Sequence, residues 1–137
     1  MRAEEFLGQV EKLEIMIANK EAKKKEWEDK ATNRTSQVGN EHVQSSGAKD
    51  KMASATIEMA ELDKEIAILR EQIKEVERVI ERTSTRSYKI LYDVWFRGCS
   101  IGEVAQTEGK SYNWATQYHR IAKQEVQDLL DGGVVNG

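Results

Sequence analysis

Proline is missing from all 137 residues, and aromatic side chains make up only 7% of them. The first absence removes the residue that breaks helices, and together the two favour a helix-rich chain. The lone cysteine, Cys99, excludes an internal disulfide and fits a reducing compartment. No apolar run approaches the ~20 residues of a membrane span. The opening MRAEEFLGQ also lacks the apolar core of a signal peptide. A cytoplasmic protein without membrane association is therefore expected. His42 has no second histidine or cysteine at ligand spacing, so no metal site is expected. The chain shows no nucleophile beside a base and no glycine loop that would cradle a phosphate. The expectation is a protein that is not an enzyme and needs no cofactor.

What is present is charge and periodicity. With 39% hydrophobic and 33% charged residues, the chain is long enough for one compact domain or for a small domain plus an extended helical part. The most informative stretch is GCSIGEVAQTEGKSYNWATQYHRIAKQEVQDLL, from Gly98 to Leu130. Ser100 with Glu103 three residues later is a capping box, in which each side chain satisfies an otherwise orphan backbone donor, so a helix opens at Ile101. Gly109 suits the left-handed conformation that ends helices. Ser111 then caps a longer helix whose apolar positions are Ala115, Tyr118, Ala122, Val126 and Leu129. Small Ala105, the glycine turn four residues on, and the apolar pair Ala115 and Tyr118 form the spacing of a helix-turn-helix. Glu108 and Lys110 stand where apolar residues would commonly close such a turn. A plain helical hairpin in a small bundle is the alternative.

Upstream, residues from Ala3 to about Ala31 read as an amphipathic helix on Phe6, Val10, Leu13 and Ile17. Its basic run KEAKKKEWEDK is offset by Glu21, Glu26, Glu28 and Asp29, which marks a solvated face. From Thr32 to about Lys49, Asn, Ser, Thr and Gly accumulate without period, the pattern of a long connection. Between Met52 and Thr83, Met59, Ile66, Ile73 and Ile80 alternate with Ala55, Leu62, Leu69 and Val76 in a sustained heptad seam. The first helix can fold back on this seam as an antiparallel hairpin, or the seam can pair with a second copy as a homodimer. We favour the hairpin, with dimerisation open on top of it.

After a polar hinge at Thr83–Arg86, where Ser84, Thr85 or Ser87 could cap, Tyr88, Leu91, Tyr92 and Trp95 mark a further helix ending near Gly98. The expected fold is all-α. A helical hairpin or coiled coil spans 1–83, with a polar loop at about 32–50. A three-helix helix-turn-helix headpiece spans 84–130, and 131–137 form a flexible tail. Residues 84–137 carry six lysines and arginines against six acids, so the net charge of −3 belongs to residues 1–83. Phosphate neutralisation supplies most non-specific DNA affinity, so unaided DNA binding should be modest.

The block LYDVWFRGCSIGEVAQTEGKSYNWATQYHRIA resembles region 4 of bacterial sigma factors. Over residues 3 to 130 the chain is similar to a small phage- and prophage-encoded family of sigma-like proteins, related to late-gene regulators. EEFLGQVEKLEIMIANK, HVQSSGAKDKMA and SYNWATQYHRIA carry that similarity. The VQSSG block is the most specific, since neither coiled-coil periodicity nor helix-turn-helix packing demands it. Ala115 departs from the family, which carries a larger aliphatic residue there.

The resemblance implies a transcription regulator that binds double-stranded DNA together with host RNA polymerase. With the apolar stripe facing inward, the recognition helix at about 111–130 would present Tyr112, Asn113, Thr116, Gln117 and Arg120 to base edges. Arg120 can fork onto guanine, and Asn113 or Gln117 can pair with adenine. Lys110, Ser111 and Lys123 would hold phosphates. By analogy alone, Tyr88, Lys89, Tyr92 and Arg97 would face the polymerase. Trp114 and His119 could go either way; both are assigned to packing, with a phosphate contact from His119 left open. Two alternatives stand beside this reading: a DNA-packaging adaptor of the small-terminase kind, which would form a ring, and a coiled-coil interaction module that never binds DNA.

Overall fold

The computed structural model of this chain describes the backbone of residues 1–38 and 45–133 and the side chains of residues 1–32 and 52–133. All regular elements among the described residues are helical. The centre of the expected polar loop, 39–44, and the tail residues 134–137 lie outside the described residues. Helix α1 is Ala3–Val38 and α2 is Ser45–Glu81. Both reach into the stretch expected as loop, because its Ser, Thr and Asn residues weaken a helix without the hard stop that proline would impose.

Packing divides the chain into two units, one of Met1–Leu13 with Gln72–Gly137 and one of Glu14–Glu71. In the second unit α2 turns Ala55, Leu62, Ile66 and Leu69 inward, each under 8% exposed. Lys20 pairs with Glu65 at 2.9 Å, Lys24 with Asp63 at 2.8 Å and Glu21 with Arg70 at 2.6 Å. From Lys20 to Lys24 the partner steps back from Glu65 to Asp63, while Glu21 between them reaches forward to Arg70. These pairs are solvent-exposed or part-exposed and add little stability, so they select register more than they hold the helices together.

The first unit holds α3 (Thr85–Leu91), a π-helical turn (Tyr92–Phe96), α4 (Ile101–Glu108) and α5 (Tyr112–Leu130). Its core joins residues from five stretches of chain: Ala3, Leu7 and Val10 of α1, Val76 and Ile80 of α2, Ile90 and Leu91, Val104, and Ala122 with Val126. The division expected at residue 83 therefore differs from the packing. Heptad spacing gives α2 one continuous seam, but it does not say that the seam changes partners near Gln72.

Local signals fix the ends of the short helices. At α4, Ser100 accepts from the Glu103 N–H at 3.1 Å and the Glu103 carboxylate accepts from the Ser100 N–H at 3.1 Å, completing the capping box. Gly109 ends α4 at φ 66°, and the Lys110 N–H donates to the Ala105 carbonyl at 2.9 Å. Ser111 caps α5 by accepting from the Trp114 N–H at 3.1 Å. The π-helical turn closes with the Arg97 N–H on the Tyr92 carbonyl, 3.0 Å away and five residues back. Gly98, at φ 73°, lets the chain leave it.

Helix α3 is capped from a distance. Ser84 is its N-cap by backbone conformation, yet its side chain makes no capping bond. The Glu125 carboxylate of α5 takes over, accepting from the Ser84 N–H at 2.9 Å, from the Ser84 hydroxyl at 3.2 Å and from the fully buried Ser87 hydroxyl. A carboxylate at a helix start also opposes the positive end of the helix dipole.

Candidate nucleic-acid interface

Helix α5 has two contrasting faces. Ala115, Ala122, Val126 and Leu129 are buried, recurring at helical spacing. Asn113, Gln117 and Arg120 lie on the opposite side and are exposed, and Tyr112 beside them is 61% exposed. Among the described residues none of these four makes a side-chain hydrogen bond, ion pair or ring contact within the chain. Thr116 is half-buried, and its hydroxyl donates to the Tyr112 carbonyl at 3.0 Å, which leaves only its lone pairs for another molecule. Ser111 is committed to its cap as acceptor but keeps a hydroxyl proton to donate.

Cations gather at the start of α5. The Lys110 ammonium lies 5.9 Å from the Trp114 ring centre. From α3, Arg86 donates to the Tyr118 hydroxyl at 3.2 Å and stacks over Tyr118 and Trp114 at 5.1 and 5.8 Å. Arg86 joins the group unannounced by the sequence, since it reaches α5 across 32 residues. Glu108, which sequence spacing leaves as a misfit at the turn, is bonded to Lys89 at 2.6 Å. That carboxylate holds the Lys89 ammonium above the usual lysine range. The two apparent departures from an apolar turn thus each have a partner, Lys89 for Glu108 and Trp114 for Lys110.

Lys123 stands apart from the exposed set. It is half-buried and bonded to Glu4 of α1 at 2.7 Å, and this pairing holds the Glu4 carboxyl below its ordinary range. Next to it, Gln127 accepts from the Ala3 N–H at 2.8 Å and donates to the Met1 carbonyl at 3.2 Å. The rear half of α5 is thereby clamped to the start of α1, and its front half is left uncovered by that helix.

On the other side, Tyr88, Tyr92 and Phe96 form a stacked ladder with ring centres 5.8 and 5.2 Å apart. Desolvation, then Glu77 and Glu81, raise the Tyr88 hydroxyl above the usual tyrosine range. Arg97 is exposed and bonded to Asp93 at 3.2 Å. Tyr88, Lys89, Tyr92 and Arg97 thus do not form one uncovered cationic patch: both charges have acidic partners, and the tyrosines are half-buried.

His119 packs behind the exposed face. The Trp95 indole N–H donates to its Nε2 at 3.0 Å, so the ring proton resides on Nδ1. Burial, followed by the nearby Lys123 charge, lowers its pKa to about 4 from 6.5. Folded chains therefore bind fewer protons than unfolded ones between these values. Stability is complete above about pH 6.5 and declines as pH falls toward 4. We expect a loss of about 1–2 kcal/mol between pH 7 and 5, after discounting for the solvent that reaches this ring. Urea midpoints at the two pH values measure it, and His119→Gln should flatten the difference. An unchanged pH dependence in that variant would show that other groups carry it.

Among the described residues, no three His, Cys, Asp or Glu side chains gather where a metal ion could sit, and no helix is long and apolar enough to cross a membrane. Cys99 is half-buried against the core. No protein-family model, curated protein or solved structure matches this chain.

Proposed function

We propose that α4, the Gly109 turn and α5 are a helix-turn-helix carried on an antiparallel hairpin of α1 and α2. In this reading the chain is a sigma-like transcription regulator of phage or prophage type, which reads double-stranded DNA beside host RNA polymerase. The observation that carries it is the α5 face bearing Tyr112, Asn113, Gln117 and Arg120. These side chains are exposed and unengaged within the chain; Asn113, Gln117 and Arg120 lie opposite the buried Ala115, Ala122 and Val126, with Tyr112 on the flank of the first turn. A polar outer face is usual for a surface helix, so the reading rests on residue type: an arginine and two amides at i, i+4 and i+7 are side chains that can pair bidentately with base edges.

Arg120 forks onto a guanine edge and Asn113 or Gln117 pairs with an adenine, while Lys110, the Ser111 hydroxyl and Arg86 hold phosphates. Lys123 is bonded to Glu4, so its contact with a phosphate would require exchanging that exposed carboxylate for the phosphate. The balanced charge of residues 84–137 leaves little affinity from phosphates alone, which fits a factor that reaches its site on a larger partner. The polymerase contact rests on the resemblance to sigma region 4.

The test is fluorescence anisotropy on fragments selected from a random duplex library, with and without polymerase. Arg120→Ala and Gln117→Ala should each weaken specific binding by roughly 1–3 kcal/mol with melting temperature unchanged. Affinity equal to that of the parent would sink the base-reading assignments. Nuclease-resistant recovery of polymerase with the tagged chain would support the second half of the proposal, and DNA recovered on a ring-sized assembly without polymerase would replace it with a packaging adaptor.

A further inference from the structure

The outer side of α2 carries a pattern that its inward packing does not use. Ile57 and Ile68 are 62% and 60% exposed, on the side away from Leu62, Ile66 and Leu69. Eleven residues separate them, about three helical turns, so they lie on one stripe. Between them on that stripe stand Glu61 and Lys64, giving steps of four, three and four, the spacing of a short coiled-coil seam. Lys64 and Glu61 of one chain are 3.7 Å apart, with side chains 74% and 59% exposed, a loose pair that can re-form with other partners.

The stripe is complementary to its own reverse. If a second copy is laid antiparallel, about a twofold axis at the level between Leu62 and Asp63, Ile57 meets Ile68 of the second copy and Glu61 meets Lys64 of the second copy. The twofold repeats both contacts. A twofold interface requires this kind of self-matching, in which residue i meets j and j meets i. A parallel arrangement would instead set Glu61 against Glu61 and Lys64 against Lys64. Charge thus selects one orientation, and the isoleucines supply apolar area at both ends.

We propose that this outward stripe of α2 is a homodimer interface, formed with a second, antiparallel copy of the chain through Ile57–Ile68 and Glu61–Lys64 pairs. The stripe covers only about 17 Å of helix, well short of a standard interface, so the dimer is weak and depends on concentration.

Sedimentation equilibrium on the full chain, up to about 1 mM, should show self-association that weakens as salt rises. Lys64→Glu and Glu61→Lys each bring four like charges to the twofold axis and should raise the dimer Kd at least about tenfold. Circular dichroism should show unchanged helicity, since both side chains are on the surface. Mixing the two single variants in equal amounts turns every like-charge contact into an opposite one and should restore association to the parental level. The double variant Glu61→Lys/Lys64→Glu should do the same by itself. A parent chain that stays monomeric throughout, single variants that associate as the parent does, or a mixture that fails to associate would each overturn the proposal.

Discussion

Replacing Glu125 with alanine is expected to lower folding stability by about 3 kcal/mol, although this glutamate is charged and only half-buried. Its carboxylate is the cap of α3, accepting from the Ser84 N–H and from the hydroxyls of Ser84 and Ser87. Ser87 has no exposed surface, so without Glu125 its hydroxyl keeps only the bond with Ser84, at 3.0 Å, and the Ser84 N–H has lost its acceptor. A buried polar group deprived of its partner costs more than the bond was worth. Ser87→Ala removes the hydroxyl along with the need for a partner and should be milder. In a double-mutant cycle between Glu125→Ala and Ser87→Ala, urea denaturation should return a coupling of about 1 kcal/mol or more. A coupling near zero would mean that the cap acts through the backbone N–H alone.

Leu7→Ala should cost about 3–4 kcal/mol. Leu7 is fully buried in the core that unites α1 and α2 with α3, α4 and α5, next to Val10, Val76 and Ile80. Truncation leaves a cavity among side chains from helices far apart in sequence, which cannot all relax toward it. Ile15, eight residues on and 53% exposed, is the matched control, and Ile15→Ala should change stability by less than about 0.5 kcal/mol. If Leu7→Ala is equally mild under thermal or urea unfolding, the start of α1 does not share this core. The Lys123–Glu4 pair cannot substitute for it, because an exposed ion pair contributes little.

The residues that could be read from the sequence are those whose partners lie within one helical turn. Ser100 and Glu103 form the capping box, Gly109 takes the left-handed turn, Ser111 caps α5, and the heptad on α2 identifies its inward positions. What could not be read depends on meetings between distant segments. Nothing in the spacing of Glu125 marks it as the cap of a helix 41 residues earlier, and nothing around Glu108 announces Lys89. Phe6 shares the helical period of α1 but is half-buried, while its neighbour Leu7 takes the core position, because α2, α3, α4 and α5 all contribute side chains to the core at that end. At the candidate interface, the outward set on α5 followed from its amphipathic period. Lys123 looked equivalent to Lys110 in sequence, and only the arrival of Glu4 separates them.

The widened turn at Tyr92–Phe96 has a consequence for how the chain tolerates changes of length. A π-turn houses one residue more than the α-turn it replaces, so deleting a residue such as Val94 lets the Arg97 N–H find a carbonyl four positions back, with Leu91 on one side and Gly98 on the other kept in phase. Helix α5 holds no such slack. Removing one residue from its middle would swing every later side chain round the axis by about 100°, carrying Ala122 and Val126 out of the core. Natural length variation should therefore be absorbed before Gly98 and selected against beyond Ser111.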